Sequence, residues 1–126
     1  MKKKTLETYL KENRTISKED LDALKAKHGK VKVITVVVEE PERDDDGNVV
    51  GCEAYYFAVR RPSQSQVRML TALAQKGDDE KFLNSAIKNL VVGGDEDALE
   101  DGLVYMGVAS QLKGLLKPYT SFLTKA

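Results

Sequence analysis

Apolar positions along the chain change their spacing twice, and the changes divide it into three stretches. From residue 6 to 29 they recur at helical intervals: Leu6, Tyr9 and Leu10 mark a short helix ending near Asn13, and Leu21 with Leu24 marks a second. Ser17, with Asp20 three residues on, resembles a capping box at the second helix's start, and Gly29 is a natural stop. The period then falls to two. Residues 31–39 (VKVITVVVE) are β-branched nearly throughout, and residues 49–60 (VVGCEAYYFAVR) are rich in aromatic and small apolar side chains, so each predicts a strand. The short connection makes the pair antiparallel. Ile34, Val36 and Val38 alternate with Val33 and Val37, and Tyr55 and Phe57 with Ala54 and Tyr56, so both faces need covering: helices are expected on one and something else on the other. A two-stranded ribbon is marginal in water, which calls for a further strand from the C-terminal tail or from the same strand of another copy.

The third stretch returns to helical spacing. Ser63 with Gln66 forms a capping box, Val67, Leu70, Leu73 and Ala74 form the stripe behind it, and Gly77 stops the helix. Asp78, Asp79 and Glu80 place negative charge in the first turn of the next helix, whose stripe is Leu83, Ala86, Ile87, Leu90 and Val91 and whose end is Gly93-Gly94. Asp97, with Glu100 three residues on, is expected to cap a final helix running to about Lys117, where Pro118 forbids continuation. Gly107, Ser110 and Gly114 lie on one side of that helix. Glycine costs roughly 1 kcal/mol against alanine in a helix interior, so the small-residue stripe suggests a packing requirement and a close approach by another helix. The tail carries Tyr119, Phe122 and Leu123, too apolar for a solvated end and expected to dock on the body or on a partner. The order α-α-β-β-α-α-α makes an α+β fold, a hairpin packed with about five helices. One domain over residues 1–126 is expected, with N-terminal helices at 1–29, the hairpin at 30–61 and a helical part at 62–126.

Charge adds a second pattern. Net charge is zero, but residues 1–33 carry ten Lys/Arg against five Asp/Glu, residues 34–53 one against seven, residues 54–77 four against none, residues 78–101 two against eight, and residues 102–126 three against none. Alternating blocks suit packing between segments or between copies of the chain. They do not suit nucleic acid, which needs a basic surplus or a basic face. No apolar run approaches the length of about 20 residues that spans a bilayer, and the basic start MKKKTLETYLKEN is interrupted at Glu7 with no apolar core behind it, so neither a membrane nor an export signal is expected.

Chemistry-bearing residues are few. The chain has one cysteine, Cys52, and one histidine, His28. Cys52 lies mid-strand without a placed cation, His28 sits in a last helical turn where it complements the dipole, and together they cannot make a zinc site or a nucleophile–base pair. Gly93-Gly94-Asp95 lacks the Lys-Ser/Thr of a phosphate loop and follows a helix, not a strand. Arg60-Arg61 and Arg68 could bind an acidic partner segment, although strand-end arginines are more often surface pairs. Residues 42–53 (ERDDDGNVVGCE) overlay a calcium loop, with Asp44, Asp46, Gly47 and Glu53 at plausible places. Glu42 stands where such a loop wants Asp, and strands flank it in place of helices. Asp46-Gly47 between strands is the signal of a tight hairpin, which is the favoured reading, and a calcium-binding regulatory module is the weaker alternative. No catalytic residues, cofactor or metal are expected.

Taken together, a strand ending YYFAVRRPS, a helix closing on Gly-Asp, and the segment KFLNSAIKNLVVGGDEDALED before a last helix resemble the small tail assembly chaperones of bacteriophages and prophages. The resemblance covers roughly residues 55–117, and the matching positions are Arg60, Arg61, Pro62, Ser63, Gly93, Gly94 and Asp95, read as turn and cap punctuation more than as a binding site. It implies a protein without catalysis in the bacterial host cytoplasm, which binds the apolar helical tape-measure protein, recruits tail-tube subunits and is absent from the finished particle; the strand edges, small-residue stripe, apolar tail and charge blocks also suit a homo-oligomer. On that reading Gly107, Ser110, Gly114, Tyr119, Phe122 and Leu123 face the partner. A structural virion component, such as a tail-completion or adaptor protein, is the alternative.

Overall fold

The structure is a computed structural model that describes residues 3–118 and 121–125. Its local elements begin where short polar side chains satisfy free backbone N–H groups. Helix α1 (Leu6–Glu12) starts at Thr5, whose hydroxyl accepts from the Thr8 amide at 3.2 Å, and α2 (Lys18–His28) starts at Ser17, which accepts from the Asp20 amide at 3.1 Å. Gly29 closes α2 at φ +81°, where a side chain would be strained. Strand β1 (Val31–Val37) then pairs antiparallel with β4 (Ala54–Arg60), from Val31 opposite Arg60 to Val37 opposite Ala54. Between them the hairpin continues as a short arm, β2 (Glu42–Arg43) against β3 (Val49–Gly51).

After β4, Ser63 caps α3 (Gln64–Gln75) through the expected reciprocal box with Gln66, and Asp78 caps α4 (Asp79–Leu90) by accepting from the Lys81 amide at 3.1 Å. The third strand of the sheet comes from neither the tail nor another copy. It is β5 (Val91–Gly94), which follows α4 without a break and pairs antiparallel with β4, giving the order β1-β4-β5. Val91 therefore opens a strand, and Gly93-Gly94 lie inside it and do not end a helix. The cause is the β-branched pair Val91-Val92, which suits a pleated edge, although Val91 alone also extends the helical stripe.

The last helical segment also differs from expectation. Residues Glu96–Glu100 form a 3₁₀ turn, and Asp101, not Asp97, caps α5 (Gly102–Leu115) by accepting from the Leu103 and Val104 amides at 2.9 and 3.4 Å. In the tail Phe122 and Leu123 are fully exposed and cover nothing, while Tyr119 lies outside the described residues.

Alternation along β4 decides the layering. Phe57 and Val59 point into a core with Ile34, Leu70, Leu90, Val104, Val108 and Leu112, contributed by β1 and α3–α5. Tyr56 and Ala58 point the other way, against Ile16, Leu10, Leu21 and Leu24 from the α1–α2 region. Helices thus cover both faces of the sheet.

Candidate functional site

The positions singled out by sequence divide into two groups, one where β5 leaves the middle of β4 and one at the Arg60 end of the sheet. In the first, Gly93, Gly94 and Asp95 form a corner. Gly94 has φ +107°, and a Cβ there would strike the Tyr56 carbonyl oxygen and stand 2.9 Å from the Phe57 Cα, so only glycine fits. A Cβ on residue 93 would stand 3.0 Å from a Leu24 methyl, which ties this glycine to the seat of α2. Asp95 follows as a fastener: its amide donates to the Tyr56 carbonyl at 2.8 Å, and its carboxylate accepts from the Tyr56 amide and from the Thr15 hydroxyl, each at 2.8 Å. The carboxylate joins the corner, the central strand and the α1–α2 connection. That is structural work.

In the second, Arg60, Arg61 and Pro62 do more than turn the chain. Together with Lys30, Lys32 and Lys117 they line a cavity of about 200 Å³ floored by Val59 and Leu115, and among the described residues no acidic side chain lines it. Arg60 is aimed by its Nε, which donates to the Arg61 carbonyl at 3.3 Å. Lys30 and Lys32 come from the first basic block of the sequence, Arg60 and Arg61 from the second, and Lys117 from the third. Arg60 and the three lysines around an apolar floor suit an anionic group carried on an apolar or extended body. Gly114, one of the small-residue positions of α5, forms part of this wall.

The remaining small-residue positions separate. Gly107 is half-buried, and a Cβ on it would stand 3.3 Å from a Val36 methyl, so its smallness serves the seating of α5 on β1. Ser110 is exposed, and nothing lies within 4 Å of a Cβ on residue 114. Helix α5 buries Val104, Val108, Ala109 and Leu112. Leu103 and Met106 stand on its opposite side, 79% and 65% exposed, beside Ser110 and Gly114. That outward face also carries Lys113, two turns beyond Met106, and sequence reading missed its two large apolar members because any helix so apolar all round reads as core.

The calcium-like segment forms a hairpin tip. The Asp44 carboxylate is used by its own turn: Oδ1 accepts from the Asp46 and Asn48 amides at 3.0 and 2.9 Å, and Oδ2 from the Asn48 side chain at 3.1 Å. These bonds, the Asn48 amide first, hold its pKa below the ordinary carboxylate range. Gly47 takes φ +83°, and the Glu53 carbonyl accepts from the Val38 amide at 3.0 Å, which keeps Glu53 along the strand. Among the described residues no group of three or more acidic, histidine or cysteine side chains is gathered as a metal cage. Burial pushes the Cys52 thiol up, with Glu39 adding to the effect, and burial likewise pushes up the Tyr56 phenol, so both stay protonated at neutral pH. Among the described residues no helix is long and apolar enough to cross a membrane.

Comparisons with protein-family models, with curated proteins and with solved structures find no match to this chain.

Proposed function

We propose that this chain is a non-catalytic assembly factor of the phage tail-chaperone kind, which holds apolar helical stretches of a tape-measure protein in the cytoplasm of a bacterial host while tails are built. The observation that carries the reading is the outward face of α5, where Leu103 and Met106 stand 79% and 65% exposed with no charged residue between them. Apolar side chains so placed gain about 2 kcal/mol each when covered, and an amphipathic helix laid along α5 is the geometry that covers both at once. The sequence resemblance over residues 55–117 supplies the class of client. The helix face supplies a place to hold it.

Affinity capture after co-expression with a tape-measure protein tests the reading. The wild-type chain is expected to retain the client, and a Leu103→Asp, Met106→Asp double variant to lose it while keeping its melting temperature, because both side chains are exposed in the free protein. No capture by the wild type, or equal capture by the variant, contradicts it.

A further inference from the structure

Strand β1 is an edge strand with a polarity of its own. Its one ladder partner is β4, and among the described residues no backbone hydrogen bond reaches residues 31–37 from the outer side. An unpaired edge of this length is a template for another strand. Lys30 and Lys32 stand at its start, and Glu39 and Glu40 follow its end, all four exposed. Val37 and Val38, 41% and 38% exposed, lie between the central residues and the acidic pair. A strand that is basic at one end, apolar in the middle and acidic at the other is complementary to itself when reversed.

We propose that a second copy of this chain pairs its β1 antiparallel with the free edge of β1, about a two-fold axis near Thr35 and Val36, seating Glu40 of each copy at the cationic cavity of the other. Face and register agree with this. A two-fold axis perpendicular to the sheet keeps each side chain on its own face, so even-numbered residues of one β1 oppose even-numbered residues of the other. Lys32 lies across from Val59 on the α5 side of the sheet, and Glu40 follows three residues past the end of β1, at the end of the strand that a reversed copy brings to Lys30 and Lys32. Centring the pair on Thr35 sets Glu40 of the second copy against Lys30, and centring it on Val36 sets it against Lys32. Either way the acid meets the cavity that Arg60 and Arg61 also line. The product is a six-stranded antiparallel sheet with two isologous charge clusters. Because Gly107 lies against Val36, the two α5 helices flank the axis. The inference stands on the edge, the charges and the cavity, and does not rest on what α5 binds.

Charge reversal tests it by sedimentation equilibrium. The wild type is expected to dimerise with an affinity that weakens as salt rises. The Lys30→Glu, Lys32→Glu variant and the Glu39→Lys, Glu40→Lys variant should each raise the dimer dissociation constant by roughly tenfold or more, since like charges then face each other at both ends. The decisive arm mixes the two variants: acidic-ended and basic-ended strands are complementary, so an equimolar mixture should regain dimer, as should the chain carrying all four changes. Circular dichroism of each variant checks that the fold is retained. A wild type that stays monomeric to millimolar concentration overturns the proposal. So does a dimer indifferent to both reversals, a mixture that stays monomeric, or a dimer dissolved by Leu103→Asp and untouched by charge, which would place the contact on α5 alone.

Discussion

On the α3–α5 side of the sheet, Phe57 and Val59 are sealed against Leu70, Leu90, Val104, Val108 and Leu112, all within 1% of complete burial; on the α1–α2 side, Tyr56 and Ala58 are sealed by Leu10, Leu21 and Leu24, which are themselves only partly buried. Neither α1 nor α2 contains a fully buried residue. One side is a core in its own right. The other is a cover also held by polar fasteners: Asp95 on Thr15 and Tyr56, the Lys4 amide on the Asn48 side chain at 2.7 Å, and the Lys4 carbonyl accepting from the Val49 amide at 2.9 Å. The difference places the chain's stability where α5 is anchored, so the helix face read as client-binding stands on the rigid side and needs no ordering before it binds.

Substitutions on opposite sides of the sheet measure the contrast. Phe57→Ala opens a cavity in a region with no room to collapse, and urea unfolding should show a loss of about 3–5 kcal/mol. Leu24→Ala removes a half-buried side chain from the cover and should cost roughly 1–2 kcal/mol in the same measurement. Equal losses would mean that the two sides are equivalent. Comparable in size is Asp95→Ala, which leaves the Tyr56 amide without its acceptor and releases Thr15; about 1–3 kcal/mol should be lost, and the α1–α2 connection should become a site of early proteolysis. A variant that resists protease as the wild type does would show that apolar contacts alone hold the cover.

The smallest expected effect is acid sensitivity at the hairpin tip. Asp44 has a folded pKa below its unfolded one, so its contribution is present at neutral pH and is lost as pH falls below about 4 through the folded value. Asp44→Ala should remove that part of the acid slope in melting temperature and leave stability above it nearly flat. An unchanged acid slope would deny the turn's carboxylate any such role.

What the sequence revealed of this fold was its local chemistry. Ser17 and Ser63 each start a helix as their spacing predicts, the acidic run from Asp78 to Glu80 marks the start of α4, and the β1–β4 pairing follows from two β-rich runs joined by Asp46-Gly47. What it concealed was decided at a distance. Val91 satisfies a helical stripe and a strand equally, and only the free edge of β4, more than thirty residues upstream, selects the strand. In the acidic run from Asp95 to Asp101 several carboxylates could cap a helix, and packing of Val104 and Val108 on the sheet selects Asp101. The cationic cavity was half legible: Arg60 and Arg61 were visible as a pair, but their meeting with Lys30, Lys32 and Lys117 exists only in the folded chain. Gly94 and Asp95 matched a turn pattern, and the reason for both, the approach of Tyr56, appears only once β5 is paired.

Native-state amide hydrogen exchange read residue by residue is the most direct test of the asymmetry on which this account rests. Amides of β4, α4 and α5 are predicted to exchange only through global unfolding, with a common opening free energy, while those of α1 and α2 exchange through a separate opening of lower free energy that Asp95→Ala lowers further. Protection of α1 and α2 equal to that of β4, or an α5 that opens before them, would contradict it.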